Sequence, residues 1–204
     1  MCSEKKYPEM IKMEVPRDSE LNKTMDNKIS KKILLINPPS PSFVTHKDKS
    51  IPLSLLYLSA ILKKNNYNVK IIDMNNEIIN SEDGDFENYF SGRFINEFNS
   101  FNPDMIGVTC LFSGRFKSAM NVINKIKKIS PSVPIVLGGI HPTIFPREIL
   151  KDYNVVEYIC LGEGEISFPK LIHAHFNNQN LLKDINGIAY RQEGGLKLIK
   201  KRLS

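Results

Sequence analysis

The chain has 204 residues, 41% hydrophobic and 25% charged, with a formal net charge of +6. That composition excludes a wholly disordered chain, and the longest apolar runs, such as Met105 to Phe112, fall far short of the roughly 20 residues a membrane-crossing helix needs. The positive charge marks no nucleic-acid surface: six basic and two acidic residues between Lys183 and Ser204 net +4, which leaves only +2 for residues 1–182 and no basic stripe across the body.

Residues 1–30 are polar and without periodicity, and read as a disordered or loosely attached arm with no secretory apolar core. Three widely separated cysteines (Cys2, Cys110, Cys160) form neither a disulfide framework nor a CxxC knuckle, so a reducing cytoplasm is expected. Lys32–Asn37 is a short continuous apolar run, the pattern of a strand buried on both faces, stopped by Pro38-Pro39. A helix is expected over Pro52–Lys64, capped by Ser50, with Leu53, Leu56, Tyr57, Ala60 and Ile61 as its buried stripe. Asn68–Asp73 reads as a second strand. Residues 75–102 form an acidic, Asn-rich insertion with a helix near Phe86–Phe98.

Asp104–Thr109 is the third strand. A helix from Ser113 to Ile129 carries Phe116, Ala119, Met120, Ile123 and Ile126 on one face, and Pro131 stops it. Pro134–Gly138 is the fourth strand, a short helix follows Pro146, and Glu157–Leu161 is the fifth. A last helix is expected to start near Ser167 and Pro169. Strand and helix thus alternate five times, which demands a parallel sheet covered on both faces: a flavodoxin-like (Rossmann-like), doubly wound five-stranded α/β domain over residues 31–178. Residues 179–204 are expected to hold a connector hairpin (Gly187–Arg191 and Leu196–Ile199) and a basic tail.

Ligands of such sheets bind beyond the carboxyl ends of the strands, at the switch point between the first and third. The candidate loops are therefore Asn37–His46, Thr109–Gly114, Gly138–Phe145 and Gly162–Glu165. No GxGxxG follows the first strand and there is no P-loop, which removes the common nucleotide fingerprints. Ser40, Ser42 and Thr45 keep flavin mononucleotide or another nucleotide open, and a ligand-free interaction module is a third reading. Gly138-Gly139 ends the fourth strand, where a missing Cβ pair leaves a slot for a bulky group or merely allows a tight turn.

Taken together, ILLINPPS, GVTCLFSGR, GGIHPT and LGEGE, in this order and each at its strand end, resemble the N-terminal cobalamin-binding domain of cobalamin-dependent radical S-adenosylmethionine enzymes. The resemblance runs from about Lys32 to Arg191. It implies that cobalamin is held here and presented, for methyl transfer or related radical chemistry, to a radical S-adenosylmethionine barrel in cis or trans. The iron–sulfur cluster and S-adenosylmethionine would belong to that barrel, because this chain lacks the CxxxCxxC triad and has no catalytic centre of its own.

The resemblance also implies site roles. Thr109 and Leu111 would contact the buried nucleotide tail, and Gly138 and Gly139 would let it pass. His141, Pro142 and Thr143 would shape the loop around it, with a turn-capping role for His141 equally open. Gly162, Glu163 and Gly164 would line the far side, and Glu165 suits the first turn of the last helix. Asn37, Pro38, Pro39 and Ser40, with Cys110 and Ser113, would face the corrin. No His has Asp two places before it, so a D-x-H-x-x-G lower axial ligand is not expected; His46 in the first loop reads as a surface residue.

Overall fold

The computed structural model describes residues 30–40, 51–79, 85–192 and 195–199. The terminal arm, Ser50 and most of the first loop, His46 included, lie outside them. The frame is one seven-stranded sheet: β1 (Lys32–Asn37), β2 (Asn68–Asp73), β3 (Met105–Thr109), β4 (Ile135–Gly138), β5 (Tyr158–Cys160), β6 (Ile188–Gln192) and β7 (Gly195–Ile199), in the order β2-β1-β3-β4-β5-β6-β7. The first five run parallel, as the alternation predicts, and β1 lies between β2 and β3, at the switch point. The hairpin β6–β7 is continuous with the sheet, since β6 pairs antiparallel with β5. Arg191 fastens it by donating to the carbonyls of Leu150, Val156 and Tyr153 at 2.9, 2.6 and 2.6 Å.

The helices are α1 (Leu53–Lys64), α2 (Met74–Ile79), α3 (Phe86–Tyr89), α4 (Ile95–Phe101), α5 (Phe116–Ile129), α6 (Ile140–Ile144), α7 (Pro146–Asp152) and α8 (Gly164–Asn177). Two apolar cores result, one on each face of the sheet. α1 and α8 cover Ile33, Leu35, Met105 and Val136; α5, α7 and the insertion cover Leu34, Ile36, Ile106 and Val108. In the insertion, α3 passes through a π-turn (Phe90–Phe94) into α4, and the four-residue spacing of Phe86, Phe90, Phe94 and Phe98 lays their rings in one row, centroids 4.7–5.7 Å apart.

Two helices differ from the sequence expectation. α1 buries Leu55, Ser59 and Leu62 and leaves Leu53, Leu56 and Tyr57 exposed, the reverse of the expected stripe. The segment is apolar around most of its circumference, so Leu55, Leu58 and Leu62 offered a competing stripe at helical spacing, and packing on the sheet selected it. α8 starts at Gly164, because Gly162, with φ of +69°, turns the chain immediately after β5; Pro169 therefore falls inside the helix rather than at its start.

Candidate functional site

A groove of about 380 Å³ opens at the carboxyl edge of β3, β4 and β5 and runs between the sheet and the helices α1 and α8. Strand register builds its floor. Leu35, Gly107 and Val136 are direct partners across β1, β3 and β4, and one step nearer the edge Thr109 lies opposite Gly138. Alternation along each strand turns these residues to the same face. Leu55 and Leu58 of α1 and Phe168 of α8 form the apolar walls.

Three glycines shape this space, each for a different reason. A Cβ at Gly107 would sit 3.0 Å from Leu35 Cδ2 and 3.3 Å from Phe168 Cζ, so this glycine admits the Phe168 ring against the sheet. At Gly139, φ is +107° and a Cβ would stand 2.6 Å from the Cys110 carbonyl oxygen, which makes glycine a backbone requirement. Gly138 is under neither constraint. Its Cβ would meet nothing closer than Cys160 Cβ at 4.0 Å, so a side chain there would project into the groove.

The polar groups at the rim are few. Thr143 Oγ1 donates to the Gly139 carbonyl (2.7 Å) and accepts from the Gly162 N–H (2.9 Å), which ties the loops after β4 and β5 together. Glu163 and Glu165 add two carboxylates, and among the described residues no Lys, Arg or His lines the groove. Cys160 is part of the floor, its thiol pushed up to about 12 by burial.

Of the residues singled out from sequence, Thr109, Leu111, Gly138, Gly139, Thr143, Gly162, Glu163 and Gly164 converge on the groove. The others do not line it. Asn37 is buried, its Nδ2 donating to Asp73 Oδ1 at 2.8 Å, and Pro38 is buried beside it. Ser118 Oγ donates to the Pro39 carbonyl at 2.7 Å; the Ser40 N–H donates to Asn75, and Arg115 donates to the Ser40 hydroxyl. These contacts pin the start of the first loop against the opposite core. Cys110 is one residue out of phase with Thr109, so its thiol lies in that opposite core and burial lifts it to about 11.

His141 pairs through Nδ1 with Ser113 Oγ (2.9 Å), and its ring packs against Phe116 and Phe145, centroids 4.5 and 5.1 Å away. Burial holds it below the ordinary histidine value. Pro142 is buried under the same turn. Gly107, Leu58 and Phe168 were missed as groove residues. A glycine inside an otherwise apolar strand was the available signal for the first; the other two needed the helix orientation.

The B12 binding domain family matches residues 43–172. Cytidylyl-2-hydroxyethylphosphonate methyltransferase of Streptomyces wedmorensis is 30% identical over 180 residues, covering 84% of this chain and 33% of that protein. An uncharacterized methyltransferase of Pyrococcus horikoshii is 30% identical over 165 residues, 80% of this chain and 33% of its own length. Among solved structures, the cobalamin-dependent S-adenosylmethionine radical enzyme OxsB with aqua-cobalamin bound superimposes with a TM-score of 0.65 at 22% identity, over 91% of this chain and 23% of that one. The chain therefore spans about a third of the length of the methyltransferases it matches.

Proposed function

The chain belongs to the B12-binding domain family, and from that premise we propose that it presents its cofactor, cobalamin, to a radical S-adenosylmethionine catalytic domain, in cis or in trans, for methyl transfer or related radical chemistry. The observation that carries the site assignment is the notch at Gly138: a strand-end position without steric need for glycine, opening on a groove that any side chain would block. The residues fit the group. The groove is an apolar slot beside a sheet edge, deep enough to take an arm of a larger molecule whose bulk stays outside.

When bound, cobalamin supplies a cobalt centre able to carry a methyl group. The work of this chain is to hold and to shield. Thr109 offers a hydroxyl and Leu111 an apolar contact to the threaded arm. Thr143 keeps the two rim loops at fixed separation, and the backbone at Gly162–Gly164 closes the far side. Pro39, Ser40 and Ser113, which reach the surface, would form the platform facing the corrin, with the buried Asn37 and Pro38 holding it from beneath.

Flavin mononucleotide suits the groove less well. The family match is to B12 binding domains, and among the described residues Phe168 is the only aromatic side chain lining the groove to stack a flavin ring. Among the described residues no three metal-capable side chains converge and no helix is long and apolar enough to cross a membrane. We place the protein in the cytoplasm, a reading supported by the free thiols of Cys110 and Cys160.

Incubation with hydroxocobalamin followed by desalting tests the binding. A coloured protein whose melting temperature rises with cobalamin but not with flavin mononucleotide is the expected result; a colourless protein with an unchanged transition would overturn it. Finding a CxxxCxxC sequence in the gene beyond these residues, or in an adjacent frame, tests the partner.

A further inference from the structure

Glu165 occupies the first turn of α8 and lines the groove, and its Oε2 is buried with no hydrogen-bond partner among the described residues. A buried carboxylate oxygen without a donor is costly, and native structures seldom keep one unless something else satisfies it. The helix terminus does not explain it. A carboxylate turned outward would serve the positive end of α8 equally well and keep its hydration. Among the described residues no cationic side chain lines the groove to pair with it; of its other polar side chains, Thr143 Oγ1 is committed to Gly139 and Gly162, Glu163 and Ser54 are exposed, and the Thr109 hydroxyl makes no hydrogen bond to Oε2.

We propose that Glu165 is a specificity-determining residue of the groove, its carboxylate accepting a hydrogen bond from the ribose hydroxyl on the nucleotide arm of the bound corrinoid. The inference rests on the cobalamin reading and deepens it. The nucleotide arm of a corrinoid carries such a donor in its ribose hydroxyl, a neutral group that a carboxylate oxygen accepts from readily. The orphaned oxygen is thus an unmet acceptor in the free protein that the cofactor completes, and the groove selects for arms that bring a donor to that point.

The test compares the 204-residue chain with Glu165→Gln and Glu165→Leu by spectrophotometric titration with hydroxocobalamin and with dicyanocobinamide, which lacks the ribose and base of the nucleotide arm. Glu165→Gln retains an acceptor oxygen and is expected to bind cobalamin within about threefold of the parent. Glu165→Leu removes it and is expected to weaken cobalamin binding about tenfold or more. Its unliganded melting temperature should not fall, because an unsatisfied polar atom has been replaced by an apolar one. Cobinamide should bind the parent and Glu165→Leu alike.

Unchanged cobalamin affinity in Glu165→Leu with a lowered melting temperature would assign Glu165 to the helix terminus alone and overturn the proposal. Equal weakening toward cobinamide would overturn the assignment to the arm. Failure of the parent chain to bind cobalamin would be a separate result, striking the functional reading on which the inference stands.

Discussion

Gly138 and Gly139 are adjacent in sequence yet should respond oppositely to substitution. Gly138 ends β4 with its Cβ direction open toward the groove, the nearest atom 4.0 Å away. Replacing it by Val adds a β-branched side chain at a strand position and removes the entropic penalty of glycine, a gain of about 0.5–1 kcal/mol. In a chain of this size such a gain moves the melting temperature upward by at most a few degrees, ~2–4 °C per kcal/mol. The same side chain fills the mouth of a 380 Å³ slot, so hydroxocobalamin binding should weaken by more than tenfold, about 1.4 kcal/mol.

Gly139→Ala is the counterpart. Its Cβ would fall 2.6 Å from the Cys110 carbonyl at a φ of +107°, and that backbone is held by the Cys110 N–H to Gly138 carbonyl bond of 2.7 Å. Loss of stability by about 1–3 kcal/mol is expected. Thermal melting and absorbance titration of both variants decide the matter. A folded Gly138→Val that binds cobalamin as tightly as the parent would refute the claim that the missing side chain makes room for the ligand.

Thr143→Val deletes the hydroxyl bridge between the loops after β4 and β5; because Gly162 is exposed and its N–H can turn to water, a loss of about 0.5–1.5 kcal/mol in denaturant unfolding, with weaker cobalamin binding, is expected. Arg191→Ala frees three carbonyls at the end of α7 and before β5, and should cost about 1.5–3 kcal/mol in the same assay without reaching the groove. His141 and His175 are both held below the ordinary value of 6.5 by burial. The unfolded chain therefore binds more protons than the folded one, so their contribution is intact above pH 6.5 and is lost as pH falls below it. Melting curves at pH 7.5 and 5.5 should show a drop in the parent, and a smaller one in His175→Gln.

The parallel sheet was legible because β1, β4 and β5 are short apolar runs closed by Asn37-Pro38, Gly138 and the nearby Gly162, and because α5 alternates its polar and apolar residues cleanly; Ala119, Met120, Ile123 and Ile126 are buried as that pattern requires. α1 was misread because its sequence is apolar on two sides, and only the shape of the sheet beneath chooses between them. Within the site, the loop residues were identifiable from strand ends. Phase along a strand was harder to use: Cys110 and Thr109 are neighbours, yet one faces the groove and the other the opposite core. The burial of a single oxygen of Glu165 has no sequence signature at all, since it depends on how α8 is rotated against the sheet.

Hydrogen–deuterium exchange of the chain with and without hydroxocobalamin locates the ligand most directly. The account predicts added protection in residues 107–111, 138–143 and 161–168, the three stretches that meet at the groove, with little change around Asp104 and Glu157 at the opposite ends of the strands. Protection confined to that opposite edge, or none in these three stretches while cobalamin remains bound, would contradict it.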